Sequence, residues 1–491
     1  MKHLTLLAGC IIVLFLSTSC QEQKDTPTEV TEPTLFTLLT PEKTNVDFQN
    51  IINEGLNTNV LMYEYFYNGG GVAVGDLNGD KLEDLYFTAN LSANKLYLNK
   101  GKMQFEDITA ASGAAGREGP WKTGVTMADV NGDGKLDIFV CHSGNLPPEK
   151  KANELFINQG NNAQGIPTFL DQTAEYGLND PSSSTNAYFF DYDHDGDLDL
   201  FLLNHNIKSL PVLNESNSAE FNKQDDPVSG SRLFRNEGKR FVDVTTKAGI
   251  NSSPLSYGLG AGIADFNQDG WPDIYVSNDY TIPDHLYINN KKGGFVDKLT
   301  TSIGHTSHFS MGNDVADVNN DATPDIFTLD MLPEENRRQK LLMAPDNYEK
   351  FDMVVRSGFH KQYMRNMLQL NTPLPAFPKL GVAFSEIGQL AGISNTDWSW
   401  AALFADYDND GWKDLYITNG YLRDYTNLDF LKYMNDFQQN QPNIGRQDVL
   451  NLVQQMPASN VVNYLYKNNK DLTFKNVGMQ WGLGQNSNSN G

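Results

Sequence analysis

Six times this sequence repeats a nine-residue pattern with Asp at positions 1, 5 and 9 and Asp or Asn at position 3. The copies are DLNGDKLED (Asp76, Asn78, Asp80, Asp84), DVNGDGKLD (Asp129, Asn131, Asp133, Asp137) and DYDHDGDLD (Asp191, Asp193, Asp195, Asp199). They continue as DFNQDGWPD (Asp265, Asn267, Asp269, Asp273), DVNNDATPD (Asp317, Asn319, Asp321, Asp325) and DYDNDGWKD (Asp406, Asp408, Asp410, Asp414). Carboxylates packed this closely repel unless a cation sits among them. Oxygen-only ligands on a flexible loop suit a hard ion, and a crowded loop suits Ca²⁺ better than Mg²⁺. The expectation is up to six Ca²⁺ sites.

An EF-hand is excluded, because that loop needs a Glu at position 12 and a helix on each side. Position 12 here holds Phe87, Val140, Leu202, Val276, Thr328 and Ile417. The flanks alternate as strands do, for example GVAVGD before the first loop and DLYFTAN at its end. Each loop therefore joins two strands of a hairpin. Position 6, which makes the sharp turn, is Gly134, Gly196, Gly270 and Gly411 in four loops but Lys81 and Ala322 in the others. By carboxylate number and turn glycine, the third and sixth loops should hold the ion longest.

A second hairpin follows each loop, beginning LYLNKG (Leu96), LFINQG (Leu155), LFRNEG (Leu233), LYINNK (Leu286), LQLN (Leu368) and LYKNNK (Leu465). Two hairpins per repeat make a four-stranded sheet, and such units in series predict an all-β protein, a β-propeller. The repeats lie near 69–113, 122–178, 184–250, 258–304, 310–393 and 399–483. Three carry insertions: a polar one from His205 to Gly230, and helix-forming ones from Pro333 to Met367 and Tyr421 to Asn463. The acid or amide of each second hairpin precedes the next loop by 20 to 22 residues, so Asn476 places a seventh loop near 496–498. A seven-bladed ring with six repeats in this sequence is expected. The stretch Phe36 to Tyr67 would then supply outer strands of the last blade. A ring closed by six blades is the alternative.

The formal charge of −24 argues against nucleic acid as a partner. Twenty of the acids are loop Asp, so folding should be linked to ion binding. Residues 1–19 read as a signal peptide, with Lys2 and His3 before the apolar run LTLLAGCIIVLFL. Cys20 follows Ser17, Thr18 and Ser19 as in a lipoprotein box, and 20–35 reads as a polar tether. Plain signal-peptidase cleavage is the other reading. An exported bacterial outer-membrane or cell-surface lipoprotein is expected, touching membrane only through that anchor. Cys141 would then be left without a disulfide partner, so metal must do the cross-linking.

Five residues past the last loop Asp stand Ala89, His142, Asn204, Asn278, Asp330 and Asn419, mostly polar. Eight or nine before the first stand Tyr67, Trp121, Ser183, Tyr257, Phe309 and Trp398, mostly aromatic. Both sets fall at the strand ends away from the loops. They either ring a ligand face, where aromatics beside amides stack on sugars or grip a protein, or wedge blades and cap strands. His305 and His308 lack a visible third ligand for zinc. No local catalytic motif is present, so enzyme activity is left open with a lean against it.

The loops, with GVAVGDLNGD, GVTMADVNGDG and GAGIADFNQDGWPD, resemble the FG-GAP/VCBS repeats of the integrin α-subunit head. The run from about Tyr65 to Leu483, including FFDYDHDGDLD and TDWSWAALFADYDNDGWKD, resembles bacterial VCBS-repeat lipoproteins of the ASPIC/UnbV, cartilage acidic protein-like group. The ASPIC/UnbV segment that normally follows such repeats is not in this sequence, in keeping with a truncated C-terminus. The resemblance implies a seven-bladed, calcium-bearing propeller over 36–491 at the cell surface. The functional expectation is binding of a glycan or protein partner. The alternatives are a polysaccharide lyase or hydrolase, or a structural envelope subunit.

Overall fold

The computed structural model describes residues 34–208, 212–280, 282–343, 347–372, 381–441, 443–459 and 461–489. The signal-peptide and Cys20 expectations lie outside the described residues, as does nearly all of the tether. The chain divides into two units, Met1–Leu35 and Phe36–Gly491. Every described strand lies in the second unit. Among the described residues no helix is long and apolar enough to cross a membrane.

Six four-stranded antiparallel sheets follow one another along the chain, each a simple meander. The first blade is Val72–Gly75, Asp84–Phe87, Lys95–Asn99 and Phe105–Asp107. The second is Lys122–Ala128, Asp137–His142, Glu154–Asn161 and Pro167–Asp171. The third is Ser184–Phe190, Asp199–Asn204, Arg232–Asn236 and Phe241–Asp243. The fourth is Gly258–Ala264, Asp273–Asn278, His285–Asn289 and Phe295–Asp297. The fifth is Asn313–Ala316, Asp325–Thr328, Met367–Asn371 and Phe384–Glu386, and the sixth is Ser399–Ala405, Asp414–Asn419, Tyr464–Asn468 and Phe474–Asn476. The chain is an all-β propeller. In every blade the metal-type loop connects the first strand to the second, with position 9 paired to the last residue of the first strand, as in Gly75 opposite Asp84.

First strands of successive blades pack side by side, from the first blade through to the sixth. Apolar side chains fill the wedges between them, as where Val125, Ile138 and Val140 meet Tyr86 and Leu96. The seam between the sixth and first blades is different. Val72 and Val74 of the first strand are 45% and 56% exposed, and Leu403 of the sixth blade is 46% exposed. A cleft of about 430 Å³ opens there, lined by Phe48, Ile52, Tyr67, Thr88, Tyr421 and Ser489.

The stretch 36–68 runs along this seam. Phe36 N–H donates to the Trp481 carbonyl (2.9 Å), and Phe48 stacks on Phe87 with centroids 4.7 Å apart. It forms a short helix, Pro41–Thr44, and a 3-10 turn, Glu64–Tyr67, but no strand. This corrects the expectation that it supplies outer strands. An outer strand needs a third strand to pair with, and none is described beside it.

The insertions carry helices at Glu215–Phe221, Asn336–Leu342, Tyr348–Arg356, Leu428–Asn440 and Arg446–Gln455. All three insertions leave a blade after its second strand, so they gather at the end opposite the loops.

Candidate metal centres

Each loop is shaped by its own carboxylates before any ion is considered. Position 1 accepts the backbone N–H of positions 5 and 6. Asp265 takes Asp269 N (2.9 Å) on Oδ1 and Gly270 N (2.7 Å) on Oδ2. The first, second, third, fifth and sixth loops repeat this with Asp76, Asp129, Asp191, Asp317 and Asp406. Where position 3 is Asn, its Oδ1 accepts the N–H of position 5, at 3.0 Å for Asn78, Asn131 and Asn267 and 3.1 Å for Asn319. Position 5 accepts the N–H of position 7, as Asp80 does from Leu82 (2.9 Å) and Asp410 from Trp412 (3.1 Å). The turn requires a left-handed backbone at position 6 in every copy: φ is +83°, +96°, +87° and +87° at Gly134, Gly196, Gly270 and Gly411, but also +72° at Lys81 and +70° at Ala322.

Position 9 is the buried end of the loop. Asp84, Asp199, Asp273, Asp325 and Asp414 are fully buried and Asp137 nearly so. Each accepts two backbone N–H donors, one from loop position 2 and one from an Asn on the third strand. Asp273 takes Phe266 N (3.0 Å) and Asn289 N (2.8 Å). Burial pushes Asp84 and Asp137 up to about 6 and Asp199, Asp273 and Asp325 up to about 7, and it raises Asp414. A nearby divalent cation would favour the ionised form of each.

In two loops three carboxylates converge: Asp191, Asp193 and Asp195, and Asp406, Asp408 and Asp414, each set with oxygens within 4.8 Å of one another. In both, the position-3 carboxylate has one oxygen, Oδ1 of Asp193 and Oδ1 of Asp408, buried without a hydrogen-bond partner. A buried acceptor without a donor is costly. A hard cation among these oxygens removes that cost, so the residues present fit Ca²⁺.

The third-strand asparagines Asn99, Asn158, Asn236, Asn289, Asn371 and Asn468 are a functional set that the loop spacing does not reveal. From the second blade on, each also reaches back across the blade boundary. Asn158 Nδ2 donates to Leu77 O (3.0 Å), Asn236 to Val130 O (3.0 Å), Asn289 to Tyr192 O (2.8 Å), Asn371 to Phe266 O (2.9 Å) and Asn468 to Val318 O (2.8 Å). Every Asp-rich loop is thereby stapled to its neighbour. The Asn99 side chain bonds only within its own blade, its Nδ2 donating to Glu83 O (2.9 Å). The signal was legible as the Asn closing LYLN, LFIN, LFRN, LYIN, LQLN and LYKN.

At the opposite end the structure gathers the aromatics but does not expose them. Tyr67, Trp121, Tyr257 and Trp398 are buried in one cluster, with Phe309 packed against it. The reason is the Glu64–Tyr67 turn, which seats among them. Tyr65 Oη donates to Asp279 (3.0 Å), Tyr280 Oη to Glu64 (2.9 Å) and Tyr421 Oη to the Glu64 carbonyl (2.8 Å). The polar set caps strand ends. His142 Nε2 meets Glu154 (2.7 Å), Asn204 and Asn419 accept Ser184 Oγ (2.9 Å) and Ser399 Oγ (2.6 Å), Asn278 accepts Tyr257 N (3.3 Å), and Asp330 accepts Ser307 Oγ and the His308 and Phe309 amides. Ala89 is buried as well. These residues form an interior, not an open ligand ring. Ser143 Oγ and His205 Nε2 lie 2.6 Å apart but are sealed under Tyr63 and Tyr65. His305 pairs with Glu386 (3.5 Å) and the His308 ring stacks on Phe309, so the two histidines do not share a site.

The FG-GAP-like repeat family matches residues 76–140 and 265–328. Cartilage acidic protein 1 of Xenopus tropicalis is 28% identical over 250 residues, 49% of this chain and 33% of that protein. The Homo sapiens protein is 28% identical over 285 residues, 53% of this chain and 38% of that protein. The match thus spans little more than a third of these relatives. Among solved structures, an Agrocybe aegerita lectin that recognises non-reducing terminal N-acetylglucosamine overlaps 84% of this chain and 83% of that one, with TM-score 0.43 and 12% identity. The Vibrio cholerae biofilm matrix protein Bap1 overlaps 54% and 35%, with TM-score 0.28 and 13% identity. Neither overlap carries a functional argument.

Proposed function

For a chain with FG-GAP-like repeats, related to cartilage acidic protein 1, we propose a calcium-stabilised propeller, anchored at the cell surface through Cys20, that binds a glycan or protein partner with the face opposite its loops. The observation that carries the calcium reading is the pair of three-carboxylate clusters, each with a buried acceptor oxygen lacking a donor. The other four loops share the same backbone cradle with Asn at position 3.

The partner face is where the insertions gather. With the axial aromatics covered, one open concavity there is a cleft of about 470 Å³ between helices Asn336–Leu342 and Leu428–Asn440. Its lining includes Arg337, Arg338, Asp424, Asp429, Tyr433 and Gln455. Arg338 is held by Asp397 (2.7 Å) and Asp424 (3.2 Å), which fixes its guanidinium against the cleft. Tyr433 is 47% exposed. An exposed ring beside fixed charged and amide groups is the arrangement that binds sugars by stacking and hydrogen bonding.

A glycan array probed with the full chain tests this. Binding should weaken at least tenfold in Tyr433→Ala with the melting curve unchanged, and should fall when EDTA loosens the fold. Binding that Tyr433→Ala leaves intact, or no binding to any glycan, refutes the cleft as a sugar site.

A further inference from the structure

The two loops with Asp at position 3 differ from the other four in one more place, on another strand. The residue just before the stapling asparagine is Arg235 in the third blade and Lys467 in the sixth. In the four blades whose loops carry Asn at position 3 it is Leu98, Ile157, Ile288 and Leu370. The extra carboxylate and the extra cation therefore occur together, and the cation is 42 residues away in one blade and 59 in the other.

The geometry explains the pairing. Lys467 Nζ bonds Asp408 Oδ2 and lies 3.1 Å from Asp410 Oδ2. Arg235 holds the same register in its blade, next to Asn236, whose N–H donates to Asp199 (2.8 Å), and its guanidinium pairs with Glu237. Both cations emerge from a strand packed against the loop, so each is delivered by the sheet. This separates them from Lys135, Lys291 and Lys470, which reach only position 5 of their loops (Asp133 at 2.8 Å, Asp269 at 3.2 Å, Asp410 at 3.3 Å) and come from turns rather than strands.

We propose that Arg235 and Lys467 are tethered counter-cations. Lys467 holds the sixth loop in shape without a metal, Arg235 stands at the matching place beside the third, and each must be displaced when a divalent ion enters, which makes these two loops the exchangeable sites of the ring. The inference rests on the proposed calcium reading. It reverses the ranking by carboxylate number alone, because the fourth carboxylate of each loop is matched by a positive charge already present. Removing the Lys467 charge does two opposite things: Asp408 and Asp410 lose that partner in the ion-free protein, and an incoming ion no longer meets a cation at close range.

The test is calcium titration calorimetry on the intact chain, with melting curves in chelator. The variants are Lys467→Met, which keeps the stem and removes the charge, and Arg235→Met. The ion-free melting temperature should fall, while the weakest class of sites should tighten by about tenfold or more. Lys467→Arg should restore wild-type behaviour. A lysine that serves packing alone would lower stability without tightening binding. If the wild type binds calcium and both Met variants bind it equally or more weakly, the counter-cation proposal is overturned. If the wild type gives no calcium heat at all, the calcium reading itself falls.

Discussion

Replacing Asn289 by Ala separates the staple between blades from the turn within a blade. The side chain makes three bonds: Nδ2 to Tyr192 O (2.8 Å) in the preceding blade's loop, Nδ2 to Pro272 O (3.3 Å) in its own, and Oδ1 from Lys291 N (2.8 Å). It is 4% exposed, so the carbonyls it serves lose their donor out of reach of water. A typical bond contributes about 1 kcal/mol net, and a stranded buried acceptor costs about 1–3 kcal/mol. The substitution should therefore cost about 3–4 kcal/mol. Asn99→Ala is the internal control. That residue makes the same two local bonds, to Glu83 O (2.9 Å) and from Gly101 N (2.9 Å), in a half-buried position without the inter-blade bond, so about 1 kcal/mol is expected. Urea unfolding at fixed calcium, compared at constant m-value, reads the difference. Equal losses in the two variants would refute the claim that these asparagines join the blades.

Two further outcomes are expected from the geometry. Ala322→Gly and Lys81→Gly should each raise stability by about 1 kcal/mol in thermal melts, because φ of +70° and +72° strains a residue with a Cβ; no gain would mean the turn relaxes around the side chain. Stability should also fall with rising pH through the range set by Asp279. Burial lifts this carboxyl to about 7, against about 3.9 in an unfolded chain. Between those values the folded state holds a proton that the unfolded state has lost, so the stabilisation is full below the unfolded value and disappears as pH passes 7. Melting curves at pH 5 and pH 8 should show the decline, to which the buried position-9 carboxyls add, and Asp279→Asn should make it shallower; an unchanged slope in that variant contradicts the assignment.

The features legible in the sequence were the local ones. A ligand spacing of 1-3-5-9 is set within nine residues, so the loops, the hairpins they close and the four-stranded repeat follow from period and turn chemistry alone. The helices of the later insertions were equally local. What escaped detection depends on distant partners. Asn289 was visible as a recurring residue, but its acceptor lies 97 positions earlier. Trp121, Tyr257 and Trp398 were placed at the correct end of the strands, yet their burial depends on Glu64–Tyr67, a turn with no periodicity to announce it. The stretch 36–68 was expected to be strand because a repeat was being completed, and the structure shows it following a seam without pairing. Nothing in the spacing singles out Lys467, whose partner Asp408 lies 59 positions earlier.

The central claim is that calcium holds this propeller together, and the direct measurement is thermal melting of the intact chain in EDTA, then with excess Ca²⁺ or Mg²⁺. Twenty loop Asp residues without a metal, only a few of them paired with a lysine, should lower the melting temperature by many degrees in chelator, with Ca²⁺ restoring it more fully than Mg²⁺. A melting curve that chelator leaves unchanged, or that Mg²⁺ restores as well as Ca²⁺ does, would contradict the account.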